Sequence, residues 1–178
     1  MKRLFSILSV IAALSFSVCS CTYREFAPAD YPAPLIYIPA ALDGVWNIDE
    51  EGPRCSFSED GRKLLIHLGV AVSGLERKEF PVSLSYAKSK VNTLIDNGTF
   101  EIGTLPLPEA VCNMPGELTI AADATSATFD LAVQVNYLKD PEFLGHKFAV
   151  GVKIDSEAVE ANPDFSTVLI IIDPSFIK

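Results

Sequence analysis

In three stretches of this 178-residue chain every second side chain is apolar, and that period of two fixes the kind of structure open to it. Phe80, Val82, Leu84 and Tyr86 alternate with Pro81, Ser83 and Ser85. Phe129, Leu131, Val133, Val135 and Tyr137 alternate with Asp130, Ala132, Gln134 and Asn136. Phe148, Val150, Val152 and Ile154 alternate with Ala149, Gly151, Lys153 and Asp155. Successive strand side chains point to opposite faces, so each stretch predicts one core face and one polar or small face. Half-buried strands of this kind belong to antiparallel sheets. Residues 64–72 (LLIHLGVAV) and 168–172 (VLIII) are apolar on both faces and read as central strands, or strands covered by a loop. Shorter strands are expected at residues 35–38, 45–49, 99–102 and 117–121, and a helical turn only at 88–95. Glu59-Asp60-Gly61, Asp96-Asn97-Gly98, Pro115-Gly116 and Asn162-Pro163-Asp164 are turn formers, with Asn97-Gly98 read as a hairpin turn. Eight or nine short strands at this spacing predict an all-β fold over residues 35–178: an immunoglobulin-like two-sheet β-sandwich, mostly antiparallel.

The first 20 residues have a different design. Lys2 and Arg3 precede an apolar, Ser-containing run from Leu4 to Val18, which is the anatomy of a signal peptide. Val18-Cys19-Ser20-Cys21 resembles the lipobox of bacterial lipoproteins. Ser20 is small, so Cys21 is the expected first residue of the mature chain and the expected site of lipidation. Acyl chains there would hold the protein on a membrane, at about 0.8 kcal/mol per buried CH₂. Residues 21–34 carry three prolines and no apolar period, and read as an extended tether. Cell-envelope localisation, on the outer membrane, is the corresponding expectation.

Composition narrows the chemistry. Removing Lys2 and Arg3 with the leader takes the formal net charge from −9 to −11. No basic patch is visible for phosphate, so nucleic acid is not an expected partner. His67 sits inside an apolar run and reads as a hydrogen-bonded strand residue. His146 lies in a turn-like segment and is expected in solvent. The two are not at metal-ligand spacing, no calcium loop, phosphate loop or nucleophile elbow is present, and the carboxylates concentrate in turns. No catalytic residue, metal or cofactor is therefore expected. With Cys21 acylated, Cys55 and Cys112 remain as an even pair. A bridge between them would close a loop of about 57 residues, for about 4 kcal/mol on chain entropy; two separate thiols is the alternative. Trp46 is the only tryptophan. It shares a strand face with Ile48, which suits a core position, and it is also the one candidate platform for stacking a sugar.

Several segments, in order, resemble a known family: Tyr31-Pro32 with Ile36-Tyr37-Ile38-Pro39-Ala40-Ala41; Val70, Ser73-Gly74-Leu75 and Pro81-Val82-Ser83-Leu84; Val91-Asn92 and Leu105-Pro106; Phe148-Ala149-Val150-Gly151-Val152; and Asn162-Pro163 with Val168-Leu169-Ile170-Ile171-Ile172. Over roughly residues 30–175 the chain resembles the family of unknown function that forms the N-terminal β-sandwich of many Bacteroidetes lipoproteins. One setting of that family is the leading domain of surface glycan-processing proteins, ahead of a family-18 glycosidase or a lectin-like module. The family has no established catalytic residues to carry over. The resemblance implies a non-enzymatic accessory or binding domain, associated with glycan capture or with an outer-membrane protein partner. An adhesin-like subunit that binds protein, and a small jelly-roll hydrolase, are the competing readings.

Overall fold

A computed structural model describes residues 32–74 and 78–178. The strands are β1 (Leu35–Tyr37), β2 (Val45–Ile48), β3 (Cys55–Phe57), β4 (Lys63–Val72), β5 (Phe80–Tyr86), β6 (Leu105–Pro106), β7 (Cys112–Asn113), β8 (Glu117–Ile120), β9 (Ser126–Gln134), β10 (Phe148–Asp155), β11 (Glu160–Ala161) and β12 (Thr167–Ile172). Helix α1 spans Lys88–Asp96, and a single turn, α2, spans Val135–Leu138.

The strands form two sheets. The first has the order β11-β1-β4-β9-β7, with β3 continuing the edge of β4 beyond β1; the second has the order β2-β12-β10-β5-β8, with β6 beside β10. Most pairings are antiparallel, and β1–β11, β10–β6 and β12–β2 are parallel. The fold is the expected all-β sandwich. Ile36, Ile66 and Leu131 of the first sheet and Val82, Val150 and Ile170 of the second belong to one buried cluster. Alternation explains who joins it: on β9, Phe129, Leu131 and Val133 are buried while Asp130 is exposed.

A second apolar cluster lies outside this core. Val91 of α1 and Phe100 pack with Ala149 of β10 and Ile171 of β12, and Leu94, Ile95, Leu169 and Val45 flank them. Residues 168–172 are apolar on both faces because α1 and the segment after it cover the outer side. The helix comes close because residue 151 is glycine: a Cβ there would meet Ala87 Cβ at 3.0 Å and Val91 Cγ2 at 3.1 Å. The Ala87 N–H donates to the Gly151 carbonyl at 2.8 Å.

Three local expectations are corrected. Asn97-Gly98 makes no hairpin. Asn97 caps α1 and Gly98 follows at φ +68°. The Gly98 N–H donates to Ile95 O and the Thr99 N–H to Leu94 O, which is the Schellman pattern of a helix end. Residues 99–102 therefore leave a helix instead of forming a strand, and Ile102 stands fully in solvent. Finally, β9 stops at Gln134. Val135 and Tyr137 still pack against the core, but from α2, whose first N–H donates to the Arg62 carbonyl. Residues 1–31, with the expected signal peptide, Cys21 and most of the tether, lie outside the described residues.

Candidate functional site at one end of the sandwich

Four depressions adjoin one another at one end of the sandwich, sharing Gly61 and Val135, Ile177, and Glu50 in turn. They lie between the β2–β3 loop, the β3–β4 turn, α2 with the loop that follows it, and the segment after β12. The one beside α2 has a volume of about 510 Å³ and the richest chemistry. That volume suits a small organic ligand.

Two short turns wall it. Asp140 precedes Pro141 and accepts the Glu142 N–H at 3.0 Å; Asp173 precedes Pro174 and accepts the Ser175 N–H at 3.0 Å. An acid at the cap and a proline at the first turn position start such turns, because the acid satisfies an orphan N–H and proline has none to lose. The apolar wall is anchored in the core. Phe143 lies 5.0 Å from Tyr137 and 5.8 Å from the buried Phe148, edge-on to the latter. These separations lie in the favourable range for aromatic pairs.

The charges of the depression are tied. Lys147 Nζ donates to Glu101 Oε2 at 2.6 Å and lies 3.8 Å from Asp173 Oδ2. The bond to Glu101 pushes the Lys147 ammonium above its ordinary range. The hydrogen bond from Ser175 holds the Asp173 carboxyl below the usual carboxylate range. Lys139 Nζ donates to the main-chain oxygen of Lys178 at 2.7 Å. His146 is half-buried, not free in solvent as expected, and its Nδ1 lies 2.7 Å from the Gly103 carbonyl. A carbonyl only accepts, so Nδ1 carries the proton, and in the neutral ring Nε2 is left as an acceptor.

A second polar group lies elsewhere, on the outer face of the first sheet. The register places His67 of β4 opposite Asp130 of β9. His67 Nδ1 donates to Asp130 Oδ1 at 2.8 Å, and Nε2 lies 3.0 Å from Ser56 Oγ on β3. This is the order of atoms in a Ser-His-Asp triad. The side chains of His67 and Asp130 are 41% and 50% exposed, and none of the three residues lines a depression described above. As placed, the three fasten β3, β4 and β9 together across a flat surface. His67 is the hydrogen-bonded strand residue expected. The partners come from positions 11 and 63 residues away, and only the strand register brings them together.

The other expected site residues are dispersed. Cys55 and Cys112 are free thiols. They lie on β3 and β7, with β4 and β9 between them, so about three strand spacings, or ~14 Å, separate them. A disulfide needs Cα atoms within about 7 Å, so the expected bridge is excluded by the sheet order. Burial, then the nearby Glu109, pushes the Cys112 thiol up to about 12. Trp46 faces inward beside Ile48 and packs against the core, with the Arg54 guanidinium 5.5 Å from its ring centroid. It does not offer the free flat face expected of a sugar platform. Among the described residues, no group of three or more His, Cys, Asp or Glu is placed to hold a metal ion.

The fold and this end of it define a class, a two-sheet β-sandwich domain with a lined terminal depression. The family is narrower. A family model described as "-like, N-terminal domain" matches residues 36–160, and the chain belongs to that family. Among solved structures, a candidate carbohydrate binding protein from Bacteroides ovatus is 12% identical, with a TM-score of 0.56 over 78% of this chain and 36% of that one. An auxiliary nutrient binding protein from Bacteroides thetaiotaomicron is 20% identical, with a TM-score of 0.54 over 74% of this chain and 44% of that one. A multidomain protein from Bacteroides ovatus is 17% identical, with a TM-score of 0.53 over 73% and 40%. These likenesses establish the shared fold, and this chain spans less than half the length of each of the three. The Bacteroidetes N-terminal sandwich family that the sequence resembled is the one found. No protein of curated function matches the chain.

Proposed function

We propose that the protein is a non-enzymatic cell-envelope lipoprotein whose sandwich captures glycan at the depression beside α2. The observation that carries this reading is the lining itself. The core-anchored Phe143 lines the depression together with Asp140, Asp173 and His146, and sugars are held by such pairings of apolar faces with directed hydrogen bonds. Two neighbours of the same fold, described as a candidate carbohydrate binding protein and an auxiliary nutrient binding protein, support it. The leader and Cys21 support the anchor, and acylated Cys21 places the domain at a membrane surface where captured glycan is useful.

The test uses the purified domain against a panel of polysaccharides and N-glycans, with binding and reducing-end release measured together. Saturable binding without release, lost in Phe143→Ala while the fold is kept, is the expected result. Release abolished by Ser56→Ala would overturn the non-enzymatic reading in favour of a hydrolase at the triad. For the anchor, mass spectrometry should find lipid on Cys21, and Cys21→Ser should release the protein from membranes.

A further inference from the structure

We infer that the depression beside α2 takes uncharged, hydroxyl-rich saccharides and rejects acidic ones. This rests on the glycan-capture reading and names its ligand class.

A site for an acidic sugar needs a cation free to meet the carboxylate, and usually a bidentate one. The two lysines that line this depression already have partners. Lys147 is held by Glu101 at 2.6 Å and shared with Asp173 at 3.8 Å. Lys139 is bonded to the main-chain oxygen of Lys178 at 2.7 Å. Pulling either toward a ligand breaks an existing bond. Of the other polar side chains in the lining, Ser175 carries a hydroxyl, and Asp140, His146 and Asp173 offer acceptors. Asp140 uses Oδ1 to cap its own turn and keeps a second oxygen. His146 has its proton fixed on Nδ1 by the Gly103 carbonyl, so neutral imidazole presents Nε2 as an acceptor. Asp173 is held ionised by its bonds to Ser175. An acceptor-rich lining matches ligand O–H donors. An added carboxylate would face Asp140 and Asp173 with both lining lysines already paired, and the acidic chain around it adds to the repulsion. Phe143 supplies the apolar contact that a sugar's C–H face needs.

The experiment splits one N-glycan pool and one xylan-oligosaccharide pool into neutral and acidic fractions and titrates each into the purified domain at low salt. The expected result is binding concentrated in the neutral fractions, with Kd values about tenfold lower than for the acidic counterparts. Glu101→Gln releases Lys147 from its main partner without touching the lining. It should narrow that difference by weakening the rejection of acidic sugars, with neutral affinity retained. Equal or tighter binding of the acidic fractions overturns the ligand class while leaving glycan capture standing. A preference for neutral sugars that Glu101→Gln does not change overturns the charge-pairing cause. No binding in any fraction removes the glycan-capture reading and this inference with it.

Discussion

The two sheets of this sandwich share one core but treat their outer faces differently. The outer face of the second sheet is covered: α1 and Phe100 lie on Ala149 and Ile171 and build a second apolar cluster. The outer face of the first sheet is open, and at its centre stands the bonded set Ser56, His67 and Asp130. Both central strands, β4 and β12, nevertheless read as apolar on both sides. What separates them is residue size. On β4 the outward positions are Leu65, His67, Gly69 and Ala71, of which only Leu65 is a large hydrophobe. On β12 they are Leu169 and Ile171, large enough to require a cover. A stretch without polar alternation can therefore mean a covered strand or a strand whose open face carries small residues.

Denaturant titrations can break that comparison if the cover is not a packed layer. Ile170→Ala in the inner core and Ile171→Ala under α1 should each cost about 2–5 kcal/mol. Leu65→Ala on the open face should cost about 1 kcal/mol or less. If Ile171→Ala costs no more than Leu65→Ala, the second cluster is not a true layer. The glycines make the next contrast. Gly151→Ala drives a methyl into Ala87 and Val91 at 3.0 and 3.1 Å, and should cost about 1–3 kcal/mol. Gly69→Ala meets only the Ala127 carbonyl at 3.3 Å and Thr128 Cγ2 at 3.7 Å, and should cost less than Gly151→Ala. His67→Ala should lower the unfolding midpoint by an amount worth about 1 kcal/mol or less, because Ser56 and Asp130 then turn to water instead of being buried unpaired.

The smallest expected effect is a pH response. The folded-state pKa of Asp173 is depressed, chiefly by the Ser175 hydrogen bond. Its contribution is present above the unfolded value near about 4 and is lost as pH falls through the folded value. An acid titration followed by NMR should show the Ser175 amide moving in that window, and Asp173→Asn should abolish the movement.

The sandwich was legible because alternation reports which side of a strand meets the core. Where the pattern ran on past the strand, it misled. Val135 and Tyr137 keep the period of β9 but sit on α2: the Val135 N–H donates to the distant Arg62 carbonyl, and Tyr137 packs on Phe143 and Phe148. Residues 99–102 failed for a local reason: Asn97-Gly98 ends a helix, and the Glu101 carbonyl then accepts the Thr104 N–H in a turn. The candidate site was the least legible part, since its walls come from the β9–β10 connection and the segment after β12. The Asp140-Pro141 and Asp173-Pro174 pairs were its one sequence signal, as two capped turns. Neither the His67 partners nor the separation of Cys55 from Cys112 can be read without strand order.

Glycan capture at the end of the sandwich and capture on its open sheet would perturb different amides. The most direct measurement is an NMR map of amide shifts as a binding glycan is titrated into the purified domain. Capture beside α2 should shift amides centred on Phe143, His146 and Ser175, with Ser56, His67 and Asp130 unmoved. Shifts centred on the open face, around His67, or beside Trp46, with the residues beside α2 unmoved, would contradict it.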